Sequence, residues 1–91
     1  MPTSKELETI RNAIKAIGKS RLPLNKALIK DVQRVLIEKG YDAAVVYAEQ
    51  AYLAADENAE LVRVLTICRH HGLSPEAAAQ ILDSLSLMEY G

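Results

Sequence analysis

The sequence contains no tryptophan, no phenylalanine and a single cysteine, Cys68, among its 91 residues. One cysteine excludes an internal disulfide and fits a reducing compartment. Because the two largest apolar side chains are absent, leucine, isoleucine, valine and alanine must fill any core. A chain of this length buries only about two-thirds of its unfolded surface, so we expect a shallow core.

Long apolar runs are also absent: none approaches the roughly 18 residues that a membrane-spanning helix requires. The first 19 residues alternate charged and apolar positions with helical spacing, and they lack the apolar segment of a signal peptide. We therefore expect a single helical domain over residues 1–91, located in the cytoplasm.

Motifs that carry catalysis are missing as well. The chain has no glycine-rich phosphate loop, no paired-carboxylate motif and no dinucleotide fingerprint. Cys68 and His71 are three residues apart and could share a metal on a helix, but no second Cys/His cluster supplies the remaining ligands of a zinc site. The sequence therefore predicts no enzymatic activity, no cofactor and no metal site.

Charge is balanced overall but unevenly distributed. The formal net charge is −1, with nine Lys/Arg and four Asp/Glu in residues 1–40 and two Lys/Arg and eight Asp/Glu in residues 41–91. Residues 1–40, the front part of the chain, thus carry a formal charge of +5, and residues 41–91, the back part, carry −6. This asymmetry could steer an acidic partner to the front or a basic partner to the back. It could equally serve solvation alone, or a weak attraction between the two parts.

Signals for helix starts and helix ends occur from the N-terminus onward. Thr3 and Glu6 form a capping-box pattern, and the helix that follows is predicted to end at Gly18. A second helix is predicted to begin after the breaker Pro23 and to end at Gly40. Each helix has an apolar stripe at helical spacing, namely Leu7, Ile10, Ile14 and Ile17 in the first, and Leu28, Val32, Val35 and Leu36 in the second.

Three more helices are predicted in the back part of the chain. Asp42 is expected to cap a third helix over residues 43–55, and residues 56–58 to form a short turn before a fourth helix that stops at Gly72. The run Ser74–Glu76, with proline in the middle, is a start signal for a fifth helix. Five short helices with short loops predict an all-α fold of antiparallel helices, either a bundle or a short TPR-like stack of helical hairpins.

The predicted third helix is apolar on nearly every side, since only Glu49 and Gln50 are polar across residues 43–55. Such a helix is either buried all round as a central element or offers one face as the floor of a binding groove. The candidate partner-binding residues are apolar or aromatic residues on the outer sides of the third and fifth helices: Val46, Tyr47, Tyr52, Leu53, Leu82 and Leu87.

This surplus of apolar helix faces predicts a protein-interaction module, an adaptor or chaperone that binds an amphipathic segment of another protein as a dimer or hetero-complex. One alternative is a nucleic-acid-associated protein that uses the basic front part, although the fifth helix carries Glu76, Asp83 and Glu89 and no basic residue. The other alternative is a homo-oligomeric structural protein with a self-complementary surface.

A pattern of apolar, glycine and alanine positions runs through residues 14–53: Ile14, Ile17, Gly18, Ala27, Val32, Leu36, Gly40, Asp42, Ala43 and Ala44. This pattern resembles the TPR-like co-chaperones of type III secretion needle subunits. The resemblance implies a helical hairpin followed by an alanine-rich helix that lines a concave groove. In that family the groove holds the amphipathic C-terminal helix of the needle protein, together with a second small chaperone, and prevents premature polymerisation.

Overall fold

The computed structural model describes residues 4–18, 26–51 and 55–88, and their side chains except those of residues 55–57 and 86–88. It contains five helices: α1 (Ser4–Ile17), α2 (Lys26–Lys39), α3 (Tyr41–Gln50), α4 (Ala55–His70) and α5 (Pro75–Met88). No strand occurs in these ranges, so the predicted all-α class is confirmed. None of the described helices is both long enough and apolar enough to span a bilayer.

A single residue, Gly40, joins α2 to α3. Its φ of 92° and ψ of −176° lie in a backbone region that is essentially restricted to glycine. Its amide donates to the Leu36 carbonyl at 3.0 Å, and its own carbonyl accepts from the Ala44 amide at 3.1 Å. Gly40 is therefore both the end of α2 and the N-cap of α3. The prediction that Asp42 is the cap was wrong, because Asp42 lies inside the first turn of the helix.

The end of α4 is a Schellman motif centred on Gly72, whose φ is 74°. The Leu73 amide donates to the Cys68 carbonyl at 3.1 Å, and the Gly72 amide donates to the Arg69 carbonyl at 3.0 Å. These two bonds satisfy carbonyls that the helix end would leave without partners. The predicted glycine stop is confirmed.

The start of α5 also agrees with its sequence signal. The Ser74 hydroxyl accepts a hydrogen bond from the Ala77 amide at 3.2 Å, and the Ser74 carbonyl accepts one from the Ala78 amide at 3.0 Å. Pro75 is the first helical residue, a position where its missing N–H costs nothing. Only two non-helical residues, 73 and 74, thus separate the hydrogen-bonded turn after α4 from α5.

The boundary between α3 and α4 differs from the prediction. The helix predicted to continue through residue 55 ends at Gln50, because Ala51 is extended with ψ of 148°. α4 has already begun at Ala55, so residues 56–58 are helical and do not form the predicted turn. The Asn58 side-chain amide donates to the Ala51 carbonyl at 3.1 Å and so holds the end of α3 against the first turns of α4.

The helices pack as a bundle. α3 lies between α2 and α4, α5 returns to pack against α2, and the main neighbour of α1 is α4. The contact between α2 and α5 joins the α2–α3 hairpin to the α4–α5 hairpin, as neighbouring units of a helical-hairpin stack are also joined. The largest fully buried side chains are almost all aliphatic, as the lack of Phe and Trp predicts: Leu36, Leu61, Leu65, Leu82, Val32, Val64 and Cys68.

Candidate functional site: an apolar groove between α2 and α3

The two sides of α3 have opposite environments. Ala44 and Ala48, one turn apart, are completely buried, and their small side chains allow the neighbouring helices to approach closely. Val46 lies on the other side of the helix and keeps 50% of its surface exposed. Of the two interpretations that the sequence left open, burial on all sides is wrong, since α3 covers the core with one face and presents an apolar side chain with the other.

Val46 belongs to an open groove between α2 and α3 with a volume of about 390 Å³. Apolar atoms dominate its surface, and α3 contributes residues between positions 42 and 50, about 12 Å of helix. The lining residues are Val35, Lys39, Asp42, Ala43, Val46, Tyr47 and Gln50.

Tyr47 is fixed at the wall of this groove. Its ring packs against the core, and its hydroxyl donates to Oδ2 of Asp31 on α2 at 3.1 Å. This hydrogen bond, followed by burial and by the negative charge of Asp31, raises the pKa of Tyr47. Asp31 in turn pairs with Arg34 at 3.5 Å. The phenol therefore stays protonated at neutral pH and joins the two helices that form the groove.

Charged residues stand at the edges of the groove. Lys39 is exposed at the α2 side, and Asp42 is exposed at the α3 side. Asp42 accepts a hydrogen bond from Nη1 of Arg69, which links the first turn of α3 to the last turn of α4. Exposed pairs of this kind contribute little to folding stability.

The structure brings together two of the six residues that the sequence nominated. Val46 and Tyr47 both line the groove, one exposed and one half-buried. Tyr52 and Leu53 lie outside the described residues, and so does the side chain of Leu87.

The position of Leu82 differs from the prediction. It was predicted to lie on an interaction surface, but it is completely buried in the core with Ile81 and Leu85 of the same helix. The packing of α5 against both α2 and α4 explains this, since a helix between two neighbours buries a wider face than one apolar stripe suggests.

Other exposed apolar residues were missed because the sequence placed them on buried stripes. Leu7 and Ile14 belong to the stripe of α1, yet they are 50% and 43% exposed. Val35 was expected in the core of α2 but lies half-buried in the groove. Helical spacing identifies all three as apolar-face residues. It carries no signal about which part of the face a neighbouring helix covers.

The Cys68 region is structural in character. The Cys68 side chain is completely buried, and burial raises the pKa of its thiol to about 11. Tyr41 donates to the Leu73 carbonyl at 2.7 Å, and burial, then Cys68, then Glu76 raise the pKa of Tyr41 to about 12. Both groups are thus neutral at physiological pH. Within residues 4–18, 26–51 and 55–88 no cluster of three potential metal ligands occurs.

The basic front part of the chain is exposed on α1 and α2, where Lys15 and Lys30 face solvent. Arg34, by contrast, is paired with Asp31. On α5 the outward residues include Glu76 and Asp83, as the sequence suggested. Binding of nucleic acid through the front part stays a prediction.

No protein-family model, no curated protein and no solved structure matches this chain. The resemblance to needle-subunit co-chaperones therefore stays a prediction.

Proposed function

We propose that this protein is a helical interaction module whose α2–α3 groove binds an amphipathic helix of another protein, as an adaptor or a chaperone does. The observation that carries the proposal is the position of Val46. It is an exposed apolar side chain on the floor of a groove that is itself mostly apolar. Burial of such a surface by the apolar face of a helix is a recurrent mode of peptide recognition.

The groove is also held in place before any partner arrives. Its α3 wall is anchored from behind by the buried Ala44 and Ala48, and its two helices are joined by Gly40 and by the Tyr47–Asp31 hydrogen bond. Because little has to be ordered on binding, more of the apolar contact energy is expressed as affinity. A needle-subunit co-chaperone would use an alanine-backed groove in this way, so that narrower role fits the proposal.

The test uses a designed, hydrocarbon-stapled amphipathic helix with leucines at helical spacing as a fluorescent probe. We expect saturable binding by fluorescence anisotropy and a loss of at least about tenfold in affinity for Val46→Asp, because a carboxylate would be desolvated in the groove. Ile37→Asp is the matched control, since Ile37 is 52% exposed on α2 and does not line the groove.

Far-UV circular dichroism of each variant checks that the fold is retained, and Val46→Ala provides a milder change at the same position. Absence of probe binding to the wild-type protein would reject the proposal. So would an equal loss for Val46→Asp and Ile37→Asp, because the groove would then have no special role.

A further inference from the structure

The first helix presents an apolar edge that its own bundle does not cover. Only Ala13 and Ile17 of α1 are buried, whereas Leu7 and Ile14 are about half exposed. Seven residues separate Leu7 from Ile14, so the two side chains lie on one side of the helix, about 10 Å apart. α1 is therefore an amphipathic helix that already packs on α4 and still has a free apolar edge.

Two basic residues lie beside this edge, and one acidic residue, the exposed Glu8, follows Leu7. Arg11 lies one turn after Leu7, and Lys15 follows Ile14 directly; both side chains are exposed. Neither makes an ion pair with another described residue. The edge of α1 that faces solvent thus combines two aliphatic side chains with two positive charges.

The groove has acidic residues on the solvent side of α3 and the basic Lys39 on its α2 side. Val46 is flanked on the solvent side of α3 by Asp42, four residues before it, and by Glu49, three residues after it. Glu49 is exposed and makes no ion pair within the described part of the chain, whereas Asp42 is paired with Arg69. The segment of α3 that lines the groove, residues 42–50, is similar in length to the Leu7–Ile14 edge.

We propose that the α2–α3 groove receives the Leu7–Ile14 edge of α1 from a second copy of this chain, an inference that rests on the proposed function of the groove as a helix-binding surface. The contact matches length with length and places the basic residues of α1 beside the acidic edge of α3. It would also cover three of the four large apolar side chains that are exposed in the described residues, namely Leu7, Ile14 and Val46, leaving Ile37.

Two copies can make this contact reciprocally, each giving α1 and each receiving it, around a twofold axis. Each copy contributes only Leu7 and Ile14 from α1, so the two contacts together are smaller than a standard protein interface. The dimer is therefore weak, and its population depends on protein concentration. A partner helix that binds the same groove then displaces α1, which makes self-association and partner binding mutually exclusive.

Sedimentation velocity over a concentration series tests the inference. Wild-type protein is expected to shift from monomer to dimer, and Leu7→Glu and Val46→Asp are each expected to remain monomeric where the wild type associates. Ile37→Asp should associate like the wild type. Adding the stapled helix should return the wild-type dimer to monomer.

Charge reversal makes the test specific for the two surfaces. Arg11→Glu and Glu49→Lys are each expected to weaken association roughly two- to fivefold, as exposed ion pairs do. Because both residues belong to the same chain, the double variant Arg11→Glu/Glu49→Lys restores opposite charges at both contacts and should regain wild-type association.

A wild-type protein that is monomeric throughout the series would overturn the inference, and so would a dimer that Leu7→Glu leaves intact or a double variant weaker than both single variants. The stapled helix separates the two proposals. If it binds a strictly monomeric protein, self-association is rejected and the groove function stands; if it does not bind, both are rejected.

Discussion

The first and the last helix of the bundle are each 14 residues long and amphipathic, yet they are buried to very different extents. α5 places Leu82 and Leu85 in the core, whereas α1 buries only Ala13 and Ile17 and leaves Leu7 half exposed. The difference lies in their neighbours, since α5 packs on α2 and α4 and α1 packs mainly on α4. An apolar stripe therefore defines the side of a helix that can be covered, and the number of neighbours defines how much of it is covered.

The largest expected effect is a difference in the free energy of unfolding between leucine substitutions on these two helices. Leu82→Ala should lower the free energy of unfolding by about 2 to 5 kcal/mol, because it leaves a cavity in the core. Leu7→Ala should change it by less than about 0.5 kcal/mol, as substitutions at exposed sites do. Urea denaturation at low protein concentration measures both. Similar losses for the two variants would mean that α1 is as firmly packed as α5.

The same contrast can be made within α3. Ala48→Leu should destabilise the fold by about 1 to 3 kcal/mol, because the added carbon atoms have no space where the neighbouring helices approach. Glu49→Leu introduces the same side chain at the next, exposed position and should change stability by less than about 0.5 kcal/mol. Thermal unfolding followed by circular dichroism compares them. A tolerated leucine at position 48 would contradict close packing behind α3.

A smaller effect concerns the attachment of α1. Nη2 of Arg63 on α4 donates to the Ile17 carbonyl at 2.9 Å, and Nε pairs with Glu60 at 3.0 Å. Arg63→Met keeps the aliphatic stem but removes the hydrogen bond, which should cost about 1 kcal/mol. Amide hydrogen exchange should become faster in α1 and stay unchanged in α5. Uniformly faster exchange across both helices would show that α1 does not open by itself.

The last effect is absent at neutral pH and appears only at alkaline pH. Burial raises the pKa of the Cys68 thiol from its ordinary 9.0 to about 11, so the unfolded chain releases this proton first. The contribution of the Cys68 thiol to the free energy of unfolding is fully present below pH 9. It is lost as the pH rises toward 11. Cys68→Ala should therefore show a flatter decline of unfolding free energy across that window. A decline as steep as in the wild type would assign it to other groups, such as Tyr41, whose pKa is raised to about 12.

Much of the fold could be predicted because helix boundaries depend on short-range chemistry. The glycine stops at Gly40 and Gly72 and the start at Ser74 are visible in the sequence and confirmed in the structure. The prediction failed at the end of α3, where alanines continue past Gln50 without a breaker. There the helix ends at an extended Ala51, whose carbonyl is bound by Asn58 from the next helix.

The candidate site was only partly predictable. Val46 and Tyr47 could be named because an apolar third helix has more apolar residues than one buried face requires. Val35 could not be distinguished from its core neighbours on α2, and Leu82 was wrongly placed on the surface. In each case the deciding factor was a contact between helices that are distant in sequence.

By itself, the sequence determined the five helices of residues 4–18, 26–51 and 55–88, and at which residues most of them begin and end, because caps and glycine turns act within about four residues of the helix end. The tertiary structure decided which apolar faces are covered, since coverage depends on the packing of one helix against another. That is why the edge of α1, which the sequence could not distinguish from core, stays exposed beside the outer face of α3 in the described bundle.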